Sequence, residues 1–289
     1  MPDLLLTALA GVGVGFLSGV FGLGGGFLVV PVLHVLLGKP IHISVGAGAC
    51  QVLGPATASL LARRPRREHF RVPAMIAGGQ IIGTIAGVAT LTAARDSETG
   101  SEITIAGNAL PALDVMVLAL YLAILSSIGV FAIWETGRGL TGAERRGWLA
   151  RIPIPPYCTT NEFGDRRVSI PVLTWFGLTV GFFGGLLGMS GGLMVLPGLI
   201  YLMGMHTQQA VRSSLVIVWI GAVPSTIAHA WAGNIDLQIV AALLVGGTVG
   251  ARLGSQVGER LAGPKLRRCF GWLLLATAGM VAARLVGVL

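Results

Sequence analysis

Residues 11–33 read GVGVGFLSGVFGLGGGFLVVPVL, and residues 177–199 read GLTVGFFGGLLGMSGGLMVLPGL. Aligned without a gap at an offset of 166, they are identical at 11 of 23 positions. The identities include Gly15/Gly181, Gly19/Gly185, Gly22/Gly188, Gly25/Gly191, Gly26/Gly192 and Pro31/Pro197. Shared apolar bias produces scattered matches, but not one glycine spacing twice with the same proline behind it. A second echo lies downstream, where Gly79, Gly83 and Gly87 repeat as Gly246, Gly250 and Gly254 at an offset of 167. The chain is read as one segment used twice.

The medium follows from composition. Of the 289 residues, 54% are hydrophobic and 11% charged, and the mean hydropathy is +0.81. Soluble domains carry about 25% charged residues, so a water-facing surface is excluded. Apolar runs lie at 4–37, 42–62, 72–94, 113–134, 171–204, 210–232, 237–257 and 269–289, long enough to cross roughly 30 Å of hydrocarbon. The opening MPDLLLTALAG has no basic n-region and is read as part of the first span. The net charge of +8 suggests nucleic acid at first, but 15 of the 20 Lys and Arg residues sit in three loops. They are topology signals, and no nucleic-acid partner is expected. Cys50, Cys158 and Cys269 have no metal or redox spacing, and no metal or cofactor is expected.

Those loops fix the orientation. Loop 63–71 has five Arg against one Glu, loop 135–170 six Arg against four acids, and loop 258–268 four Lys/Arg against one Glu. The positive-inside rule makes all three cytoplasmic. Loop 95–112, with one Arg and three acids, belongs outside. These placements agree only if runs 4–37 and 171–204 enter and return on one side. A straight helix of that length would overshoot the bilayer by roughly 20 Å, so each run is expected to be a helical hairpin. The N- and C-termini then lie outside, in the periplasm of a bacterial inner membrane. The expected fold is all-α and polytopic, an inverted-topology repeat of two five-element halves. The first repeat is 1–134, a cytoplasmic linker is 135–170, and the second repeat is 171–289. Inverted repeats are a transporter architecture with the site at the repeat interface.

The paired glycine clusters, each followed by a proline five residues after its last glycine, resemble the sulfite exporter TauE/SafE family of membrane transporters. GARLG at 250–254 is similar to that family's second-half pattern. The resemblance covers nearly the whole chain and implies transport of sulfite, an organosulfonate such as sulfoacetate, or a related sulfur anion. One departure is visible: Ser190 stands opposite Gly24, so the two half-sites are not strictly symmetric.

The chemistry of a glycine break supports an anion. A helix restarting after Gly22, Gly24, Gly25 and Gly26 presents unpaired N–H groups and the positive end of its dipole. Gly188, Gly191 and Gly192 supply a second such end, with Pro31 and Pro197 following. The hydroxyls of Ser18 and Ser190 add donors. Gly15, Gly19 and Gly22 also fit a small-residue packing stripe, and both roles can coexist. A Walker-type phosphate loop is excluded, since no Lys-Ser/Thr pair follows the glycines.

Polar residues within spans are the remaining candidates. Gln51, Thr57 and Ser59 lie in one run, and Ser213, Ser214, Ser225 and Thr226 in its counterpart. Arg212 either meets the anion or snorkels to the interface, and Arg252 is read in the same two ways; Arg284 is read as snorkelling outward. His34 and His229 are candidates for proton coupling, each weighed against a structural hydrogen bond. His42, His69 and His206 are read as interface residues, and Asp114 and Asp236 as helix caps. No acidic residue is expected inside a span.

Two further classes are weighed. Gly188-Met189-Ser190-Gly191 reads as the GxSG of a rhomboid-type intramembrane protease with His229 as partner. The repeat argues against it, because Ser190 aligns with Gly24, which cannot be a nucleophile. A membrane scaffold without transport stays open, as do the direction of transport, the coupling ion and assembly into a homo-oligomer.

Overall fold

The computed structural model describes residues 2–21, 25–63, 70–97, 102–105, 108–137, 147, 149, 152–159, 167–205, 207–260 and 264–288. Ten helices are described, α1 Pro2–Phe21, α2 Gly26–Pro31, α3 Ile41–Arg63, α4 Arg71–Ser97, α5 Ala112–Gly137, α6 Ile170–Leu187, α7 Gly192–Pro197, α8 Thr207–Trp231, α9 Leu237–Arg260 and α10 Pro264–Val286. Among the described residues, seven helices are long and apolar enough to cross a membrane, namely α1, α4, α5, α6, α8, α9 and α10. The protein is a multi-pass membrane protein, and α3, 23 residues long, fills the remaining expected run.

Both long runs are interrupted at their glycines: α1 ends at Phe21 and α2 starts at Gly26, while α6 ends at Leu187 and α7 starts at Gly192. α2 continues past Pro31 as a π-helical turn, Val32–Leu36, and α7 continues past Pro197 as another, Gly198–Leu202. Proline lacks an N–H and its ring crowds the carbonyl four residues back, so the ladder widens at the same place in each copy.

The fold is not all-α. Glu102–Ile105 pairs antiparallel with Asn108–Pro111 (β1, β2), and Tyr157–Thr159 with Arg167–Ser169 (β3, β4). These ribbons lie in loop 95–112 and linker 135–170, outside the candidate spans. The β-branched run Ile103-Thr104-Ile105 favours extended backbone there.

Helices pair along their glycine stripes. α1 lies parallel to α9, with Gly11, Gly15 and Gly19 facing Leu243, Gly247 and Ala251. In return Gly246, Gly250 and Gly254 face Ala8, Val12 and Phe16. α6 lies parallel to α4 in the same register, Gly177, Gly181 and Gly185 facing Ile76, Gln80 and Thr84. Gly79, Gly83 and Gly87 face Thr174, Leu178 and Phe182. At these crossings a methyl group would meet the neighbour's backbone, so glycine sets the interhelical distance. α5 and α10 cross near Gly129 and Gly271. α3 and α8 are antiparallel, joined by Trp219 Nε1–H donating to Thr57 Oγ1 (3.0 Å) and Thr226 Oγ1 to the Ala49 carbonyl (3.5 Å).

Polar contacts mark the two ends of the bundle. At one, Arg95 Nη1 donates to Asn234 Oδ1 (2.7 Å) and to the Ala232 carbonyl (3.1 Å), tying the end of α4 to the α8–α9 turn. Asn108 Nδ2 donates to the Val286 carbonyl (3.1 Å) beside the end of α10. At the other, Gly147 sits against the backbone of Leu202 to Gly204, and Ser169 Oγ donates to the Ile154 carbonyl (2.6 Å). α9 leaves the Arg95 end and α4 arrives there. Hence α1 runs away from that end, and α6 runs toward it.

Candidate anion site at the paired helix breaks

Gly25 (φ 71°) and Gly191 (φ 72°) sit immediately before α2 and α7 in the left-handed region, which glycine adopts without steric penalty. Neither short helix has a side-chain cap, and backbone carbonyls already accept from the N–H groups of Leu28, Gly192, Met194 and Val195, so any ligand meets only the first-turn N–H groups that remain. The breaks converge. A methyl on Gly26 would lie 3.2 Å from Met189 Cα and 3.3 Å from the Gly188 carbonyl oxygen. Gly48 of α3 closes the junction, its own added methyl reaching the Gly188 carbonyl at 2.7 Å and that of Gly26 at 3.5 Å. Gly25, Gly26, Gly188, Gly191, Gly192 and Pro31 are buried, and Pro197 is half-buried. Gly22 and Gly24 lie outside the described residues, as do His69, His206 and the Ser59 side chain.

Three expected side chains stand at this junction with unmet polar capacity. Ser18 and Ser190 are each 3% exposed and Gln51 is 1% exposed. Ser18 Oγ, Ser190 Oγ and both amide atoms of Gln51 lack a hydrogen-bond partner. Ser18 Oγ lies 2.7 Å from where a methyl on Gly25 would stand. Ser190 itself has a positive φ of 46°. An unmet buried polar group costs about 1–3 kcal/mol, and a cluster of them marks a place for a polar ligand. Arg212 and Arg252 are exposed and are not part of this buried group. Ser213, Ser214 and Ser225 are buried on α8.

The end of the preceding helix, α6, is held by donors. Its last carbonyls carry the negative end of its dipole, unfavourable beside an anion. Tyr121 Oη–H of α5 donates to the Leu187 carbonyl (2.6 Å), and His229 Nε2 of α8 bonds the Gly185 carbonyl (2.9 Å). A carbonyl only accepts, so His229 carries its proton on Nε2, leaving Nδ1 to accept from Asn234 Nδ2 (3.3 Å). Both His229 nitrogens are thus engaged away from Ser190, and its role in this structure is structural. Tyr121 was not legible as a site residue, although it is the one ring hydroxyl in the run 113–134. Phenylalanine at 121 should leave the Leu187 carbonyl unmet and lower stability by about 1–3 kcal/mol, read as an earlier thermal unfolding in detergent.

Two acidic residues inside a span correct the expectation of none. Asp114 and Glu135 both fall within the candidate span Ala112–Thr136. Asp114 does not act simply as a cap: its Oδ2 lies 3.4 Å from His34 Nε2, while His34 Nδ1–H donates to the Lys39 carbonyl (2.9 Å). Glu135, buried, accepts from the Tyr201 hydroxyl. Opposite ends of α5 therefore hold the two π-helical turns that follow α2 and α7. Asp236 does cap α9, its Oδ1 accepting from Gln238 and Ile239 N–H (2.9 and 3.2 Å). Gln80, 1% exposed, is a further buried polar residue missed in the sequence; its signal was an amide between Gly79 and Gly83 in an otherwise apolar run.

A family profile described as sulfite exporter TauE/SafE matches residues 7–281. Two curated proteins described as probable membrane transporter proteins, from Xylella fastidiosa strains Temecula1 and 9a5c, are each 29% identical over 282 residues. Those alignments cover 96% of this chain and 94% of theirs. The probable membrane transporter protein YunE of Bacillus subtilis is 28% identical over 82 residues, covering 28% of this chain and 30% of that protein. No solved structure matches. With the profile spanning nearly every helix described above, the chain belongs to the TauE/SafE sulfite exporter family of membrane transporters.

Proposed function

We propose that the protein is a secondary transporter of a small sulfur-containing anion, sulfite or an organosulfonate such as sulfoacetate, across a bacterial inner membrane. Residues 1–134 and 171–289 act as two inverted repeats around the linker 135–170, with both termini on the periplasmic side. The opposite travel of α1 and α6, and the matching registers of α1 on α9 and α6 on α4, support this arrangement. The observation that carries the function is the meeting of the two breaks at Gly26, Gly48 and Gly188, with Ser18, Ser190 and Gln51 buried and unmet on the adjoining turns. N–H groups and hydroxyls there suit an anion without any full positive charge. The sulfur in that anion is drawn from the family.

In alternating access, the repeats rock about the fixed junction. Pro31 and Pro197 set the direction of each return limb. Gly22, Gly24, Gly25 and Gly26 of one break and Gly188, Ser190, Gly191 and Gly192 of the other form the cradle. Proton movement, where present, falls to His34 with Asp114 rather than to His229, whose nitrogens are committed. Purified protein in proteoliposomes should show saturable flux of sulfite or sulfoacetate down an imposed gradient. No flux of sulfite, sulfoacetate or taurine under any gradient would overturn the proposal.

A further inference from the structure

Gln51 and Gln80 each lay a carboxamide directly on a glycine of the opposite half: Gln51 of α3 on Gly247 of α9, and Gln80 of α4 on Gly221 of α8. The offset of 167 that relates α4 to α9 carries Gln80 onto Gly247. One half thus has an amide where the other has the glycine that receives one. The hydroxyls are exchanged in the same sense. The offset of 166 carries Ser18 onto Gly184, and Gly24 onto Ser190. Each half therefore contributes one hydroxyl, and the amides come from positions that do not match in sequence.

Each pair lies one helical turn from a contact to a break, without its amide touching the break itself. Ser18 covers Gly25, and Gly15, one turn earlier on α1, abuts the Gly247 that Gln51 covers. In the other half a methyl on Gly184 would lie 2.7 Å from Gly191 N, and Gly181, one turn earlier on α6, abuts the Gln80 backbone. Glutamine also serves as interhelical glue in membranes, but then its amide is bonded to the neighbouring helix. Both amide atoms of Gln51 and the Oε1 of Gln80 have no such partner.

The surroundings set the charge of the ligand. Residues 4–38, 40–62, 72–94, 168–211 and 213–235 contain no Lys, Arg, Asp or Glu. Every donor at the breaks is neutral. The penalty for taking an ion out of water rises with the square of its charge, and it is large in a low-dielectric interior. Neutral amides, hydroxyls and N–H groups offset that penalty for one charge far better than for two. We infer that Gln51 and Gln80 are substrate-binding residues, one beside each break, and that the site takes a singly charged sulfonyl oxyanion, R–SO3− or HSO3−, over a dianion. The inference rests on the reading that the breaks carry the transported anion, and it narrows the substrates of that reading to hydrogen sulfite and monoanionic sulfonates, leaving out the doubly charged sulfoacetate.

The test uses the full chain in proteoliposomes, methanesulfonate as the probe and sulfate as the competitor. Gln51→Leu and Gln80→Leu should purify as monodisperse protein and melt no earlier than wild type, since an apolar group of similar shape replaces an unmet amide. Their methanesulfonate flux should fall at least about tenfold, the scale of one lost hydrogen bond to a charged group. The nearest atoms a side chain at Gly247 would meet all belong to Gln51. The double variant Gln51→Gly with Gly247→Gln therefore has room for the amide on α9 and should recover most of the flux, whereas Gly247→Gln alone should not. Excess sulfate should leave wild-type flux unchanged. Leucine variants with wild-type flux would overturn the role of the amides, and sulfate competing as well as methanesulfonate itself would overturn the selection for single charge. Should the leucine variants not purify, Gln51→Met and Gln80→Met replace them; failure of those as well assigns the amides to folding and overturns the inference. Wild-type protein that moves neither methanesulfonate nor sulfite would instead remove the transport reading beneath it.

Discussion

Alanine at Gly188 is expected to abolish anion flux, while alanine at Gly38 leaves it near the wild-type level. The two glycines share a left-handed backbone, φ 67° and 61°, so both substitutions carry the same strain of about 1–2 kcal/mol. They differ in what the new methyl meets. At Gly38 nothing lies within 4 Å. At Gly188 the methyl collides with the Val45 backbone of α3, which packs at the point where both breaks converge. Overpacking against backbone adds about 1–3 kcal/mol or more, because no rotamer change relieves it. The combined effect, about 2–5 kcal/mol, corresponds to a loss of about thirtyfold or more in the population holding the junction closed. Flux and thermal unfolding, measured on both variants in the same lipid, separate strain from packing. Wild-type flux in Gly188→Ala would remove the junction from the transport cycle.

The second large effect is on the bundle itself. Gly83→Ala and Gly250→Ala should each destabilise the protein by about 3 kcal/mol or more, and by similar amounts. A methyl at Gly83 would collide with the Leu178 carbonyl and lie 2.8 Å from Phe182 N. At Gly250 it would collide with the Val12 carbonyl and lie 2.8 Å from Phe16 N. In a bilayer, where close van der Waals packing drives helix association, either change forces a helix pair apart along its length. Gly78→Ala, with open space around it, should stay within about 1 kcal/mol of wild type. Recovery of monodisperse protein from detergent and its melting temperature are the measurements. A large loss at one position and none at the other would count against equivalent packing of α1 on α9 and α6 on α4.

The duplicated glycines made the two interruptions of the long apolar runs legible, and apolar patterning made the runs themselves legible. Which helices mate was not. The offsets of 166 and 167 relate copies to each other, whereas the contacts join each copy to a different helix of the other half. Nothing in the stripe Gly79, Gly83, Gly87 names α6 as its partner. Of the candidate site, the helix breaks were legible, because backbone carried the signal at Gly25, Gly26, Gly188 and Gly191. It was not legible for Gln80 and Tyr121, because a single polar residue in a helix of low amphipathicity does not reveal which neighbour it faces. Asp114 and Glu135 hide their roles for a related reason: those roles depend on His34 and Tyr201, beyond Pro31 and Pro197, reaching α5, a distance in space and not in sequence. The ribbons β1–β2 and β3–β4 are too short to leave a periodic pattern.

The pairing of α1 with α9 also bears on how the protein is made. A chain is synthesised and inserted from its N-terminus, and α1 ends at Phe21 while α9 begins only at Leu237. The groove formed by Gly11, Gly15 and Gly19 must therefore face lipid, or an insertion factor, until more than two hundred intervening residues have been synthesised. α4 meets its mate sooner, once Ile170–Leu187 has followed Arg71–Ser97. The order of assembly is thereby set: α4 with α6 first, and the first helix of the chain locked in almost last.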